Sequence, residues 1–245
     1  MKKTILLTGD SRGVGNAIVK ELLEEGYRVI GLSRTKTNAI QNLVDVYGED
    51  NYVHVDYDLL NTEDVKGLYK TVIRPLTREA GIYGFVNNAA MAYDDIITNL
   101  NYDSLKNMYH VNVFSPMMIT KYVLRDMLLN KNTGVVIHIS SISAHTGYKG
   151  LAMYASTKGA IEAFSKNTAR EWGALGIRSN VVCPGFMDTE MSATLSDDQK
   201  NRIFNRNSMK KPVEVEAVAT TVSFLISEKS KGITGDVLHV DNGTI

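Results

Sequence analysis

Tyr154 and Lys158 stand four residues apart, which puts both side chains on one face of a helix. A free phenol ionises at about pH 10 and is a poor proton shuttle near neutrality. An ammonium beside it stabilises the phenolate and lowers that value. Ser141 lies upstream, just past an apolar run over residues 135–140 that suits a strand, where its hydroxyl can face the same cleft. Tyr-x-x-x-Lys spacing alone is common among surface and core tyrosines. In the company of Ser141 and of a glycine-rich turn near the start of the chain, it points to acid–base chemistry on an oxygen.

That turn is Thr8-Gly9-Asp10-Ser11-Arg12-Gly13-Val14-Gly15. Glycines at 9, 13 and 15 let the backbone pass close to a bound group and let a helix begin near a strand. The free amides and partial positive charge of that helix start suit a pyrophosphate. The strand–turn–helix context that such a motif requires is present. The second strand ends Ser33-Arg34-Thr35 rather than in the acidic residue that accepts from a ribose 2′-hydroxyl. With Arg12 in the glycine turn, Arg34 and Ser33 suit a 2′-phosphate, and no local carboxylate is expected to repel it. The plain alternative is a pair of solvated arginines. The reading favours NADP(H) over NAD(H).

Short apolar, β-branched runs at residues 4–8, 28–33, 52–57, 83–87, 135–140, 179–183 and 237–240 alternate with helical patterns along the whole chain. Several runs are apolar at consecutive positions, as strands covered on both faces are. The periodicity predicts helices over 14–25 (ending at Gly26), over 104–129 with a bend near Pro116, over 156–174, and one opening at Pro212 with Val218, Val222, Leu225 and Ile226 buried. This predicts an α/β chain, one doubly wound Rossmann-type domain over 1–245, with a parallel seven-stranded sheet and helices on both faces. Residues 186–211 are polar with a weak helical signal and suit a substrate lid, in which Asp197 and Asp198 cap or solvate.

The 245 residues carry 27 basic and 27 acidic side chains and are 44% hydrophobic. A net charge of zero argues against a broad grip on nucleic acid or an anionic membrane, and no apolar run is long enough for a membrane span. Cys183, the sole cysteine, suits a reducing cytoplasmic compartment and reads as a buried apolar residue. None of His54, His110, His138, His145 and His239 stands at metal-ligand spacing from another histidine or from Cys183, so no catalytic metal is predicted. His54, His138 and His239 fall in strands and are expected to be packed and hydrogen-bonded. His145, in the loop after Ser141, is a candidate substrate contact.

Taken in order, the turn at 8–15, Asn87-Asn88-Ala89-Ala90, Asn112, Ser141, Tyr154, Lys158 and Pro184-Gly185 resemble the short-chain dehydrogenases/reductases over nearly the whole chain. The likeness is strongest to 3-oxoacyl-acyl-carrier-protein reductases. It implies that Tyr154 is the general acid–base and that Ser141 hydrogen-bonds the reacting oxygen. It implies that Lys158 binds the nicotinamide ribose and that Asn112 holds a water linking Lys158 to solvent. Cofactor contacts are implied at Gly9, Ser11, Arg12, Gly13, Val14, Gly15, Ser33, Arg34, at Asp58 and Leu59 on the adenine, at Asn88 and Ala89 on a ribose, and at Met187 and Thr189 near the carboxamide. A homotetramer is implied, with dimers formed through the long helices, where Met117 and Met118 lie.

Ala90 and Asn242 depart from the family's usual glycines, and Asn132 and Leu175 stand where the reductases commonly place carrier-gripping arginines; Lys131 is the nearest basic residue. Three functions are therefore carried: an NADPH-dependent reductase of a 3-oxoacyl thioester or similar ketone, a dehydrogenase of a polar alcohol or sugar by the same mechanism, and a non-catalytic dinucleotide sensor. A sensor has no need of the Asn112, Ser141, Tyr154 and Lys158 set.

Overall fold

The computed structural model describes residues 2–77, 80–189 and 196–245. At its centre a seven-stranded sheet runs in the order β3-β2-β1-β4-β5-β6-β7, every neighbouring pair parallel. The strands are β1 (Thr4–Thr8), β2 (Arg28–Ser33), β3 (Tyr52–Asp56), β4 (Ile82–Asn87), β5 (Gly134–Ile139), β6 (Ile177–Pro184) and β7 (Val237–Val240). Every residue of β1 and β5 is buried, as the consecutive apolar positions require of strands covered on both faces.

The helices are α1 (Gly13–Glu24), α2 (Asn38–Tyr47), α3 (Val65–Leu68), α4 (Arg74–Leu76), α5 (Tyr102–Tyr109), α6 (Ser115–Leu129), α7 (Ala152–Trp172), α8 (Asp197–Phe204) and α9 (Val215–Ile226). Side chains alternate across a strand, so β1 feeds two cores. Ile5 and Leu7 pack with Ile18 and Leu22 of α1 and Val218, Val222 and Leu225 of α9. Leu6 faces the other way, with Val65 of α3 and Ile119, Val123 and Met127 of α6. Emptying one such site, as in Leu22→Ala, costs about 2–5 kcal/mol.

Four boundaries differ from the sequence expectation. The long helix is interrupted near Pro116 as expected, but by a π-helical segment at His110–Phe114 that lies just before the proline. Pro116 sits in the first turn of α6, where a missing N–H costs little. Helix α7 starts at Ala152, before its apolar stripe begins, so Tyr154 and Lys158 both lie inside it. Pro212 stays outside α9, its carbonyl taken by Asn242 Nδ2 at 2.9 Å. The polar segment contains α8, started by a reciprocal pair in which Ser196 Oγ accepts from Gln199 N and Gln199 Oε1 accepts from Ser196 N. Ser196 is thus the cap, while Asp197 and Asp198 occupy the first turn. Part of the expected lid, residues 190–195, lies outside the described residues.

Candidate active site

Strand order reverses between β1 and β4, and ligands of open parallel sheets bind beyond the carboxyl ends of the strands at that point. The glycine turn leaves β1 there and Asn88 leaves β4. Thr8 Oγ1 accepts from the amides of Asn88 and Ala89 at 3.1 and 3.2 Å, and Asn88 Nδ2 donates to the carbonyls of Thr8 and Gly9, both at 3.1 Å. These bonds clamp the turn against β4. A Cβ on Gly15 would stand 1.8 Å from the Gly9 carbonyl oxygen, so no other residue fits where α1 passes under the turn. Gly13 has φ 54° and open space above it. Among the described residues no side chain caps α1 at Arg12, which leaves amides of its first turn for an anion. Gly9, Ser11, Arg12, Gly13, Val14 and Gly15 thus form a backbone cradle that fits a dinucleotide pyrophosphate.

At the end of β2, Ser33 is half-buried with its hydroxyl unpartnered, and Arg34 is exposed. An orphaned hydroxyl at this rim fits an adenosine ribose. Asp58 accepts from the Leu60 amide at 3.0 Å at the rim beyond β3, and Leu59 beside it is buried. One expectation is corrected here. The rim is not free of carboxylates, because the β2–β3 register sets Asp56 beside Ser33, a pairing between strands that chain neighbours do not reveal. His54 lies between Asp56 Oδ1 at 3.1 Å and the buried Asp10 Oδ2 at 2.7 Å. Burial opposes charge on His54, but hydrogen bonds and the charges of Asp10 and Asp56 outweigh it and raise its pKa. The raised value favours the imidazolium, which would offset part of that negative charge.

Deeper in the cleft stand the acid–base candidates. Tyr154 and Lys158 project from α7, and Lys158 is 4% exposed. Its Nζ donates to the Ile139 carbonyl at 2.8 Å and lies 5.5 Å from the Tyr154 ring centroid. Burial lowers the Lys158 pKa to about 8, against the opposing charges of Cys183 and Glu162. Tyr154 does not follow the expected direction. Burial, with the charges of Asp94 and Cys183, raises its pKa above the ordinary phenol value, and the hydrogen bond with Ser141 only partly offsets this. The Lys158 ammonium stands 5.5 Å from the ring centroid and donates to the Ile139 carbonyl, and desolvation of the phenol prevails.

Asn112 sits in the π segment, where the widened turn directs it inward and where such bulges are frequent at functional sites. It accepts from the Met91 amide and donates to the Met91 carbonyl, both at 2.8 Å, and donates to Thr157 Oγ1 at 3.0 Å. Its side chain therefore ties the Met91 loop to α7 beside Lys158. Met187 and Thr189 follow β6 at the same end of the sheet, both half-buried.

A sequence model of the family described as "Enoyl-(Acyl carrier protein) reductase" matches residues 9–244. The 3-oxoacyl-[acyl-carrier-protein] reductase FabG of Salmonella typhimurium is 34% identical over 98% of this chain and 96% of its own length. A solved structure described as a short chain dehydrogenase/reductase family protein superposes with TM-score 0.87 at 25% identity, over 98% of this chain and 96% of that one. The chain belongs to the short-chain dehydrogenase/reductase family. It is an oxidoreductase acting on CH–OH or C=O groups. Another similar structure, "ElxO with NADP Bound", has TM-score 0.89 at 30% identity and covers 100% of this chain and 99% of its own.

Two departures from the short-chain reductase pattern have local explanations. Ala90 lies outside the left-handed region, so its methyl strains no backbone. Asn242 has φ 56°, a conformation that asparagine tolerates better than most residues, and its Nδ2 bridges the carbonyls of Lys211 and Pro212. Asn132 donates to the Ala80 carbonyl at 2.6 Å, while Leu175 is exposed.

The histidines divide. His138 is buried and paired with Asn87 Nδ2 at 3.2 Å, and burial lowers its pKa to about 3. His54 is packed as expected. His239 is exposed, contrary to expectation, because β7 is the short edge strand. His145 engages Glu162 and His239. The sequence reading missed Asp94, whose charge reaches Tyr154 and whose own pKa burial raises. Its only sequence signal is its place shortly after Asn87-Asn88-Ala89-Ala90.

Proposed function

We propose that this protein is an NADPH-dependent reductase that converts a ketone to a secondary alcohol, with a 3-oxoacyl-thioester-like substrate. The observation that carries this reading is the half-buried Tyr154, whose raised pKa keeps the phenol protonated, hydrogen-bonded to Ser141 and beside Lys158. Reduction of a carbonyl needs a proton donor at its oxygen, and a phenol that holds its proton at neutral pH is such a donor. Bound at the cradle and the β2 rim, a reduced nicotinamide supplies hydride to the carbonyl carbon. Tyr154 gives its phenolic proton to the developing alkoxide, and the Ser141 hydroxyl hydrogen-bonds the same oxygen. Lys158 would hold the nicotinamide ribose and, through a water at Asn112, return a proton to Tyr154. Met187 and Thr189 would serve the carboxamide. Asp58 and Leu59 would meet the adenine, and Asn88 and Ala89 a ribose.

Arg12, Arg34 and Ser33 favour the 2′-phosphate, and the NADP-bound structure of ElxO supports the same choice. Self-association into a homotetramer in the cytoplasm fits the groove of about 240 Å³ between α6 and α7, lined by Met117, Leu124, Leu128, Phe164 and Trp172. One observation favours a second reading, a dehydrogenase of a polar alcohol or sugar. Asn132 is committed to Ala80 and Leu175 is apolar, so neither offers the charge that docks an acidic carrier. NADPH oxidation with acetoacetyl delivered as a carrier-protein thioester and as a coenzyme A thioester tests the proposal. Turnover of either supports it. Tight NADPH binding with turnover of neither, but of sugar ketones, establishes the second reading instead.

A further inference from the structure

Behind the catalytic lysine, three side chains from distant parts of the chain converge. Cys183 on β6 is fully buried and stands opposite His239 on β7 in the parallel register, so both project from the same face of the sheet. His145, from the loop that follows catalytic Ser141, lies over them with its ring centroid 5.0 Å from that of His239. The potential ligand atoms of His145, Cys183 and His239 all lie within 4.8 Å of one another. A tetrahedral zinc ion with Zn–S of about 2.3 Å and Zn–N of about 2.0 Å sets its ligand atoms roughly 3.5 Å apart. Small rotamer changes close that difference. No step of the reduction uses this cluster. Spacing along the chain hid it, since the three residues come from a loop and two strands.

We propose that His145, Cys183 and His239 form a binding site for a thiophilic divalent cation of the zinc class, with Glu162 orienting His145. A carboxylate on one imidazole nitrogen, leaving the other for a metal, is the usual outer arrangement of zinc sites. Glu162 provides it, with its two oxygens 3.0 and 3.1 Å from His145 Nε2, and its carboxylate also takes the Ser140 hydroxyl. The His239 ring forms no hydrogen bond with any described residue and is open to solvent, which gives a cation its entry. One thiolate and two imidazoles select zinc over calcium or magnesium, which take oxygen ligands. On binding, the Cys183 thiol releases its proton to solvent and its sulfur lone pair goes to the metal, with no change of oxidation state. The ion joins the Ser141 loop to β6 and the edge strand β7, two strands already paired through their backbones.

Cobalt(II) is the direct probe, because a thiolate ligand adds a near-ultraviolet charge-transfer band and tetrahedral geometry strengthens the visible bands. The intact, chelator-treated protein is titrated with cobalt(II), then with zinc in competition. The expected result is one ion per chain with the charge-transfer band, displaced by zinc. Loss of the band is expected in Cys183→Ser, and affinity weaker by at least about tenfold is expected in His239→Ala. His239 is exposed on an edge strand, so His239→Ala keeps the test valid if the buried Cys183→Ser fails to fold. Zinc also raises the melting temperature of the wild-type chain and not of His239→Ala. Absence of the charge-transfer band in the wild type, or an equal zinc-induced shift in His239→Ala, overturns the proposal.

Discussion

Lys158 donates its ammonium to the Ile139 carbonyl at 2.8 Å while its Nζ stays 5.5 Å from the centre of the Tyr154 ring. The lysine is thus anchored to β5, and the phenol on the preceding helical turn keeps its proton. Burial dominates both groups, lowering the value of one and raising that of the other. Together they leave the phenol in its protonated form, the form that reduction of a carbonyl consumes.

The pH dependence follows from Lys158. Its pKa falls from 10.5 to about 8 in the folded chain, so the ammonium is present below pH 8 and is lost as pH rises through it. We expect kcat/KM for NADPH, which reports the free enzyme, to fall about tenfold per unit above pH 8. Over the same range, up to pH 10.5, the unfolded chain holds a proton that the native one has released, so Lys158 makes stability rise with pH. A kcat/KM profile flat to pH 9.5 contradicts the assignment.

Tyr154→Phe removes the proton donor and leaves the cofactor cradle intact. Turnover should drop by about 10²–10⁴-fold, the usual worth of a general acid. NADPH affinity by fluorescence titration should stay within a few-fold of wild type. Retained turnover moves the acid to another residue.

Arg34→Asp tests the 2′-phosphate rim. A lost charge-assisted contact is worth about 1.5–3 kcal/mol, so the Kd for NADPH should rise roughly 10–100-fold while that for NADH stays level or falls. An unchanged Kd for NADPH places the phosphate elsewhere.

Asn242 holds φ 56° and bridges two carbonyls. Asn242→Gly keeps the backbone conformation and loses the bridges, costing about 1 kcal/mol. Asn242→Ala adds left-handed strain of about 1–2 kcal/mol to that loss. Urea denaturation should rank wild type above Asn242→Gly above Asn242→Ala, and the reverse order for the two variants contradicts the account of this turn.

Much of the sheet was legible because parallel strands buried on both faces write themselves as consecutive apolar residues, as at Ile5-Leu6-Leu7 and Val135-Val136-Ile137. Tyr154, Lys158 and Ser141 were legible through helical spacing and a strand end. Relations between separate strands were not legible. The approach of Asp56 to Ser33 depends on the β2–β3 register, and that of Cys183 to His239 on the β6–β7 register. The π segment around Asn112 has no hydrophobic period of its own, so the sequence marks an interruption near Pro116 without its π character or its exact place. The direction of the Tyr154 shift needed the depth of burial, which residue types do not carry.

The central claim is ketone reduction with the proton drawn from Tyr154. It is tested most directly with NADPH deuterated at the transferring position of the nicotinamide and an acetoacetyl thioester, with the product analysed by mass spectrometry. The account predicts one deuterium on the carbinol carbon of the 3-hydroxy product from the wild-type protein, and almost no product from Tyr154→Phe. Cofactor oxidation without deuterium in the product, or equal labelled product from Tyr154→Phe, would contradict it.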